Sequence, residues 1–181
     1  MSPRPDAARS RERILDAARD LPPDDLRLND VARRAGVGVA TVYRHFPTVH
    51  ALVEALAETD LARYSEFARR AASDPDPLAG LELLVREGLA LQLADGGLQA
   101  VFLAPRDASP AVTAIKDELV AATATVVRRA VAAGVVRDDL TPARLQHLVC
   151  GVEHAVRLGG GRPQDREFHL GAALAGLRTV P

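Results

Sequence analysis

The stretch from Leu28 to Pro47 limits the possible folds more than any other part of the chain. Val31, Ala32 and Ala35 recur at helical spacing, and Gly36 follows where a helix end needs a left-handed residue. A second short period runs from Val39 to Phe46, and Pro47 cannot extend it. Two helices so short, separated by Gly36-Val-Gly38, can bury their apolar faces only by crossing closely. That crossing needs the small Ala32 at the contact, Val37 as a plug in the turn, and Val42 and Phe46 as anchors of the second helix. The pattern is a helix-turn-helix. Its second helix then presents Val39, Ala40, Thr41, Tyr43, Arg44 and His45 outward, a mixture of small, hydroxyl, aromatic and cationic groups. A helix fits the major groove of B-DNA, with base edges near its first residues and phosphates within reach of flanking hydroxyls and cations.

The rest of the chain is helical in the same sense. Ile14, Leu15, Ala18 and Leu21 predict a first helix from Asp6, read as its N-cap, to about Asp20, stopped by Pro22-Pro23. Thr48 is placed to cap a long amphipathic helix whose Leu52, Leu56, Ala57, Leu61 and Phe67 form one stripe to about Ala72. After Ser73-Asp-Pro-Asp-Pro77 a helix runs from Leu78 to Leu93, ended by Asp95-Gly-Gly97, with a short one from Leu98 to Leu103. Val112, Ile115, Leu119, Ala122, Val126 and Ala130 carry another as far as Gly134. Thr141-Pro142 opens the next, which continues through Leu145, Leu148, Val149, Val152 and Val156, and Gln164 to Arg178 supplies the last. The expected architecture is all-α with about nine helices. A three-helix head over 1–50 is joined by a long fourth helix to a helical effector-binding and dimerisation body over 51–181.

Composition excludes several classes. No apolar run of about 18 residues and no leader-like start is present, so neither a membrane span nor export is expected and the protein is assigned to the cytoplasm. Cys150 is the single cysteine, which rules out an internal disulfide or a multi-cysteine zinc site. The formal net charge is −1, and residues 1–50 hold nine arginines against seven acids. Attraction to DNA must therefore come from where individual charges sit.

Residues 9–60, and Thr41-Val-Tyr-Arg-His-Phe-Pro47 above all, resemble the head of the TetR family of bacterial transcriptional regulators. The resemblance implies that Ala40, Tyr43 and Arg44 face bases or the groove and that Thr41, Tyr43 and His45 can meet phosphates. Val39 holds the position where family members vary most. Two departures stand out. Val49 occupies a position where a lysine or arginine commonly reaches a phosphate, leaving Thr48, the first amides of the fourth helix or His50 to replace that contact. Arg27 stands where a capping threonine is common. Arg129 to Pro142 is similar to the link before the last two helices in many such regulators. The resemblance further implies a homodimer built on those last helices, read here onto Leu170, Leu174 and Leu177.

A small-molecule pocket is expected among the central helices, assigned to Leu89, Gln92, Phe102, Leu119 and Thr123, within aliphatic walls suited by the 3% aromatic content. His147, Cys150 and His154 share one helix face at i, i+3 and i+7, a spacing that could serve zinc or copper but lacks a fourth partner, so no metal and no cofactor is expected. The leading function is a DNA-binding regulator, a repressor released from a pseudo-palindromic operator by an effector. A helical enzyme would need the histidines paired with a carboxylate or nucleophile, and no such pairing is evident. A helical interaction or ligand-binding protein without operator binding explains the body but not Thr41 to Pro47.

Overall fold

The computed structural model describes residues 4–21, 25–94 and 96–179. Among these are nine helices: α1 Arg4–Arg19, α2 Leu28–Ala35, α3 Val39–His45, α4 Val49–Ser73, α5 Pro77–Ala94, α6 Gly96–Leu103, α7 Pro110–Ala132, α8 Pro142–Leu158 and α9 Pro163–Leu177. No strand occurs among the described residues, only an isolated antiparallel bridge between Val136 and Arg178. The chain divides into two units. The first runs to Glu58 and takes in Gly96–Val112, and the second comprises Thr59–Asp95 and the chain from Thr113. Helix α4 contributes its first ten residues to one and the remainder to the other.

In the first unit, α1, α2 and α3 pack on one another around Ile14, Ala18, Val31, Ala32, Val42, Phe46 and Leu52. Val37 packs against this core from the turn, as its place between the helices requires. Gly36 adopts φ 62°, and its amide and its neighbour's return to the carbonyls of Arg33 and Ala32. That left-handed turn closes the last turn of α2 and sets the angle at which α3 leaves. Helix α1 starts ahead of Asp6, so Asp6 lies in its first turn and pairs with Arg9 at 2.7 Å instead of capping. Pro22 and Pro23, read as the stop of this helix, lie outside the described residues, as does Asp95. Thr48 does cap α4, accepting the Ala51 N–H at 3.0 Å.

In the second unit α8 packs on α5 and on α9. Thr141 caps α8 by accepting from the Arg144 amide, with Pro142 next. Tyr64 of α4 lies across Gly88 of α5, so closely that a Cβ there would stand 2.1 Å from its hydroxyl oxygen. Burial pushes the Tyr64 phenol well above its ordinary pKa. Gly88→Ala must therefore displace a rigid buried ring. It is expected to cost about 1–3 kcal/mol, read as a lower denaturation midpoint, and an unchanged midpoint would mean that the ring moves freely.

Candidate nucleic-acid interface

Three helices position the outward row. The bend at Gly36 and the burial of Val42 and Phe46 turn the opposite side of α3 to solvent. Tyr43 is 47% exposed, and Val39, Ala40 and Arg44 are exposed beside it. Thr41 and His45 are half-buried at the edges of this row. The His45 ring lies 6.2 Å from that of Phe46, tilted, so packing restrains it. Thr48 is exposed one residue before α4. All seven residues named from the sequence thus lie on or beside one helix.

Tyr43, Pro47, Thr48 and Val49 border an open groove of about 510 Å³, whose other wall is Arg27, Leu28, Asn29 and Asp30 at the start of α2. Val49 is 37% exposed on this groove. Arg27 precedes α2 in extended conformation and makes no side-chain capping bond. The carboxylate of Asp30 is engaged by Arg33 at 2.7 Å. The groove therefore combines a guanidinium, an amide, a phenol and a hydroxyl with one neutralised acid, a lining suited to an anion.

A second polar arrangement in the same unit was not anticipated. Glu54 of α4 is almost fully buried, and its two carboxylate oxygens accept the Ala108 and Ser109 amides at 2.6 and 2.9 Å. His50, one turn earlier, places Nε2 2.7 Å from Glu54 Oε1 and 3.1 Å from the Arg106 carbonyl oxygen. The carboxylate thus satisfies donors just ahead of α7 and ties the 106–109 segment to the first turns of α4. The spacing carried a signal: His50 and Glu54 stand at i, i+4 on the stripe of Ala57 and Leu61.

The residues assigned to an effector pocket fall in both units. Leu89, Gln92 and Leu119 are buried and Thr123 half-buried in the second unit, whereas Phe102 belongs to the first. Gln92 sits among polar partners. Its Oε1 is 3.8 Å from Cys150 Sγ, and its backbone carbonyl accepts from Arg157 at 2.8 Å. Arg157 also bonds Glu153, a buried carboxylate absent from the sequence assignment although it lies on the stripe of Val149 and Val156. Gln92 Nε2, Glu153 Oε2 and Ser65 Oγ are buried without a partner. His147 and His154 are exposed while Cys150 turns toward Gln92, and no metal-ligating group of three forms among the described residues. Leu170, Leu174 and Leu177, read as an interface, are only 1%, 7% and 6% exposed within a single chain. Their face is filled by the chain's own second unit, and the open face of α9 includes Gln164, Phe168, Gly171, Ala172, Ala175 and Gly176.

Comparison with known proteins fits this geometry. Residues 14–56 match the profile described as bacterial regulatory proteins, tetR family, and residues 76–179 match the SbtR-like transcriptional regulator C-terminal domain. A TetR transcription regulatory protein from Mycobacterium vanbaalenii is 32% identical over 97% of this chain and 99% of that one, with a TM-score of 0.51. The TetR regulator SCO0520 from Streptomyces coelicolor is 28% identical over 94% and 99%, with a TM-score of 0.55. FadR from Bacillus subtilis, solved with stearoyl-CoA, is 14% identical over 92% and 99%, with a TM-score of 0.64, and shares the fold alone. No curated protein matches. No described helix is long and apolar enough to cross a membrane.

Proposed function

This chain belongs to the TetR family of bacterial regulatory proteins, and from that footing we propose that it is a cytoplasmic repressor released from a pseudo-palindromic operator by a small-molecule effector. The observation that carries the reading is the outer face of α3. Tyr43 and Arg44 are exposed on a helix whose other side is locked into the head, so their side chains are available to a groove without disturbing the core. Val39, Ala40 and Thr41 supply small and hydroxyl groups at the start of α3, where base edges come closest, and His45 and Thr48 flank them toward the backbone.

Reading a pseudo-palindrome requires two heads related by a two-fold axis. The open face of α9, with Phe168 71% exposed and small residues around it, is the surface on which a second copy would pack. The effector reading draws its support from Gln92, Glu153 and Ser65. Each is buried with one polar atom unpaired among the described residues, and a ligand with complementary groups is one way to supply the partner. Release then follows if the effector favours a state of lower operator affinity. This reading requires no catalysis.

The test is a mobility-shift titration on the DNA flanking the protein's own gene, with wild type, Tyr43→Ala and Arg44→Ala. Each variant is expected to lose about 1–3 kcal/mol of specific binding, roughly fivefold to 150-fold, at unchanged melting temperature. Wild-type affinity in both variants would remove α3 from the interface. Absence of any DNA binding by the wild type would favour an interaction protein instead.

A further inference from the structure

Charge accounting in the head separates its arginines into two groups. Arg9 pairs with Asp6 at 2.7 Å, Arg19 with Asp16 at 2.5 Å, Arg33 with Asp30 at 2.7 Å and Arg34 with Asp20 at 3.0 Å. Arg13 donates to the carbonyls of Ala35 and Gly36 at 2.6 and 3.1 Å, and the Arg11 guanidinium lies 5.5 Å from the centre of the Phe46 ring. Of the arginines between Arg9 and Glu58, only Arg27 and Arg44 have no side-chain partner among the described residues. An arginine beside its own aspartate adds little net potential at the surface, whereas an unengaged guanidinium presents a full charge. A chain with a formal net charge of −1 has few such charges to offer a polyanion.

Arg44 belongs to the reading helix. Arg27 does not: it stands ahead of α2, across the groove of about 510 Å³ from Tyr43 and Thr48. Thr48 Oγ1 accepts from Ala51, which leaves its own hydroxyl hydrogen to donate outward. The acid in the lining, Asp30, is already held by Arg33. The position that extends the same lining onto α4 is the apolar Val49. The geometry points to Arg27 as the principal backbone clamp of this head: its guanidinium, with the Thr48 hydroxyl, grips a DNA phosphate in this groove and fixes the register of α3. The inference rests on the DNA-binding reading but assigns a contact outside α3, and one without base information.

Because a phosphate contact is indifferent to sequence, the probe is a mixed-sequence 30-base-pair duplex, titrated at several salt concentrations with wild type, Arg27→Ala, Arg27→Lys and Arg27→Ala/Val49→Lys. Arg27→Ala is expected to flatten the dependence of log K on log salt by about 0.9, so that raising salt from about 50 to 200 mM weakens it roughly threefold less than the wild type. Arg27→Lys should keep most of the slope, and Val49→Lys in the double variant should restore it from the opposite wall. The melting temperature should not move, since Arg27 makes no side-chain capping bond and, among the described residues, no ion pair. A wild-type slope in Arg27→Ala overturns the inference, and so does weaker binding accompanied by a lower melting temperature with the slope intact. Failure of the wild type to bind the duplex at low salt would count against the DNA-binding reading itself, and Arg27 with it.

Discussion

Glu54→Ala is expected to destabilise the first unit by about 3 kcal/mol, because each of the two amide bonds it accepts is a hydrogen bond to a charged group worth roughly 1.5–3 kcal/mol, partly recovered by water. The carboxylate is almost fully buried, yet the amides it serves, Ala108 and Ser109, lie on an exposed and a half-buried residue. Water can reach those amides once the carboxylate is gone, which limits the loss. Glu54→Gln retains one good acceptor and should cost about half as much. His50→Gln removes the contact to the Arg106 carbonyl and should matter least, as a partly exposed contact. Hydrogen exchange resolves the effect better than global melting, since a chain of two units need not unfold in one step. Faster exchange at Ala108 and Ser109 is the expected signature. Unchanged exchange at both, with a denaturation midpoint like the wild type, would mean that Glu54 does not hold the 106–109 segment.

Glu54 also marks where the sequence stopped being legible. Gly36, Thr48 and Thr141 could be assigned because cap and turn chemistry is local: the residue that needs the conformation or offers the oxygen is its own evidence. The outward row of α3 was legible for a related reason, since Val42 and Phe46 fix which side is buried. Asp6 misled because an acid near a helix start serves equally well as cap or as first-turn partner, and here it bonds Arg9. Glu54 and Gln92 have long-range partners, while Glu153 bonds Arg157 one turn on along α8. Each lies on an apolar stripe, where periodicity announces burial but not what a polar group will meet there. What Glu54 meets is decided by the 106–109 segment, and what Gln92 meets by α8, neither of them near in sequence. Arg27 was legible as a departure at the start of α2 but not as an unengaged cation, because that depends on what the other arginines of the head have bonded.

Leu174→Arg separates two meanings of the stripe on α9. Periodicity places Leu170, Leu174 and Leu177 on one face but cannot say whether a second copy or the chain itself covers it. Leu174 is 7% exposed within one chain, so an arginine there would bury an unpaired charge inside the second unit. A loss above about 4 kcal/mol is expected, seen as collapsed helical circular dichroism or insoluble protein and not as a folded monomer. Ala172→Arg puts the same charge on the open face, beside Phe168 and Ala175. That variant should keep its helical signal, sediment as a monomer, and bind an operator duplex one head at a time, with correspondingly weaker affinity. A folded, soluble monomer from Leu174→Arg would return the leucines to the interface. An intact dimer from Ala172→Arg would move the proposed two-fold contact off the open face of α9.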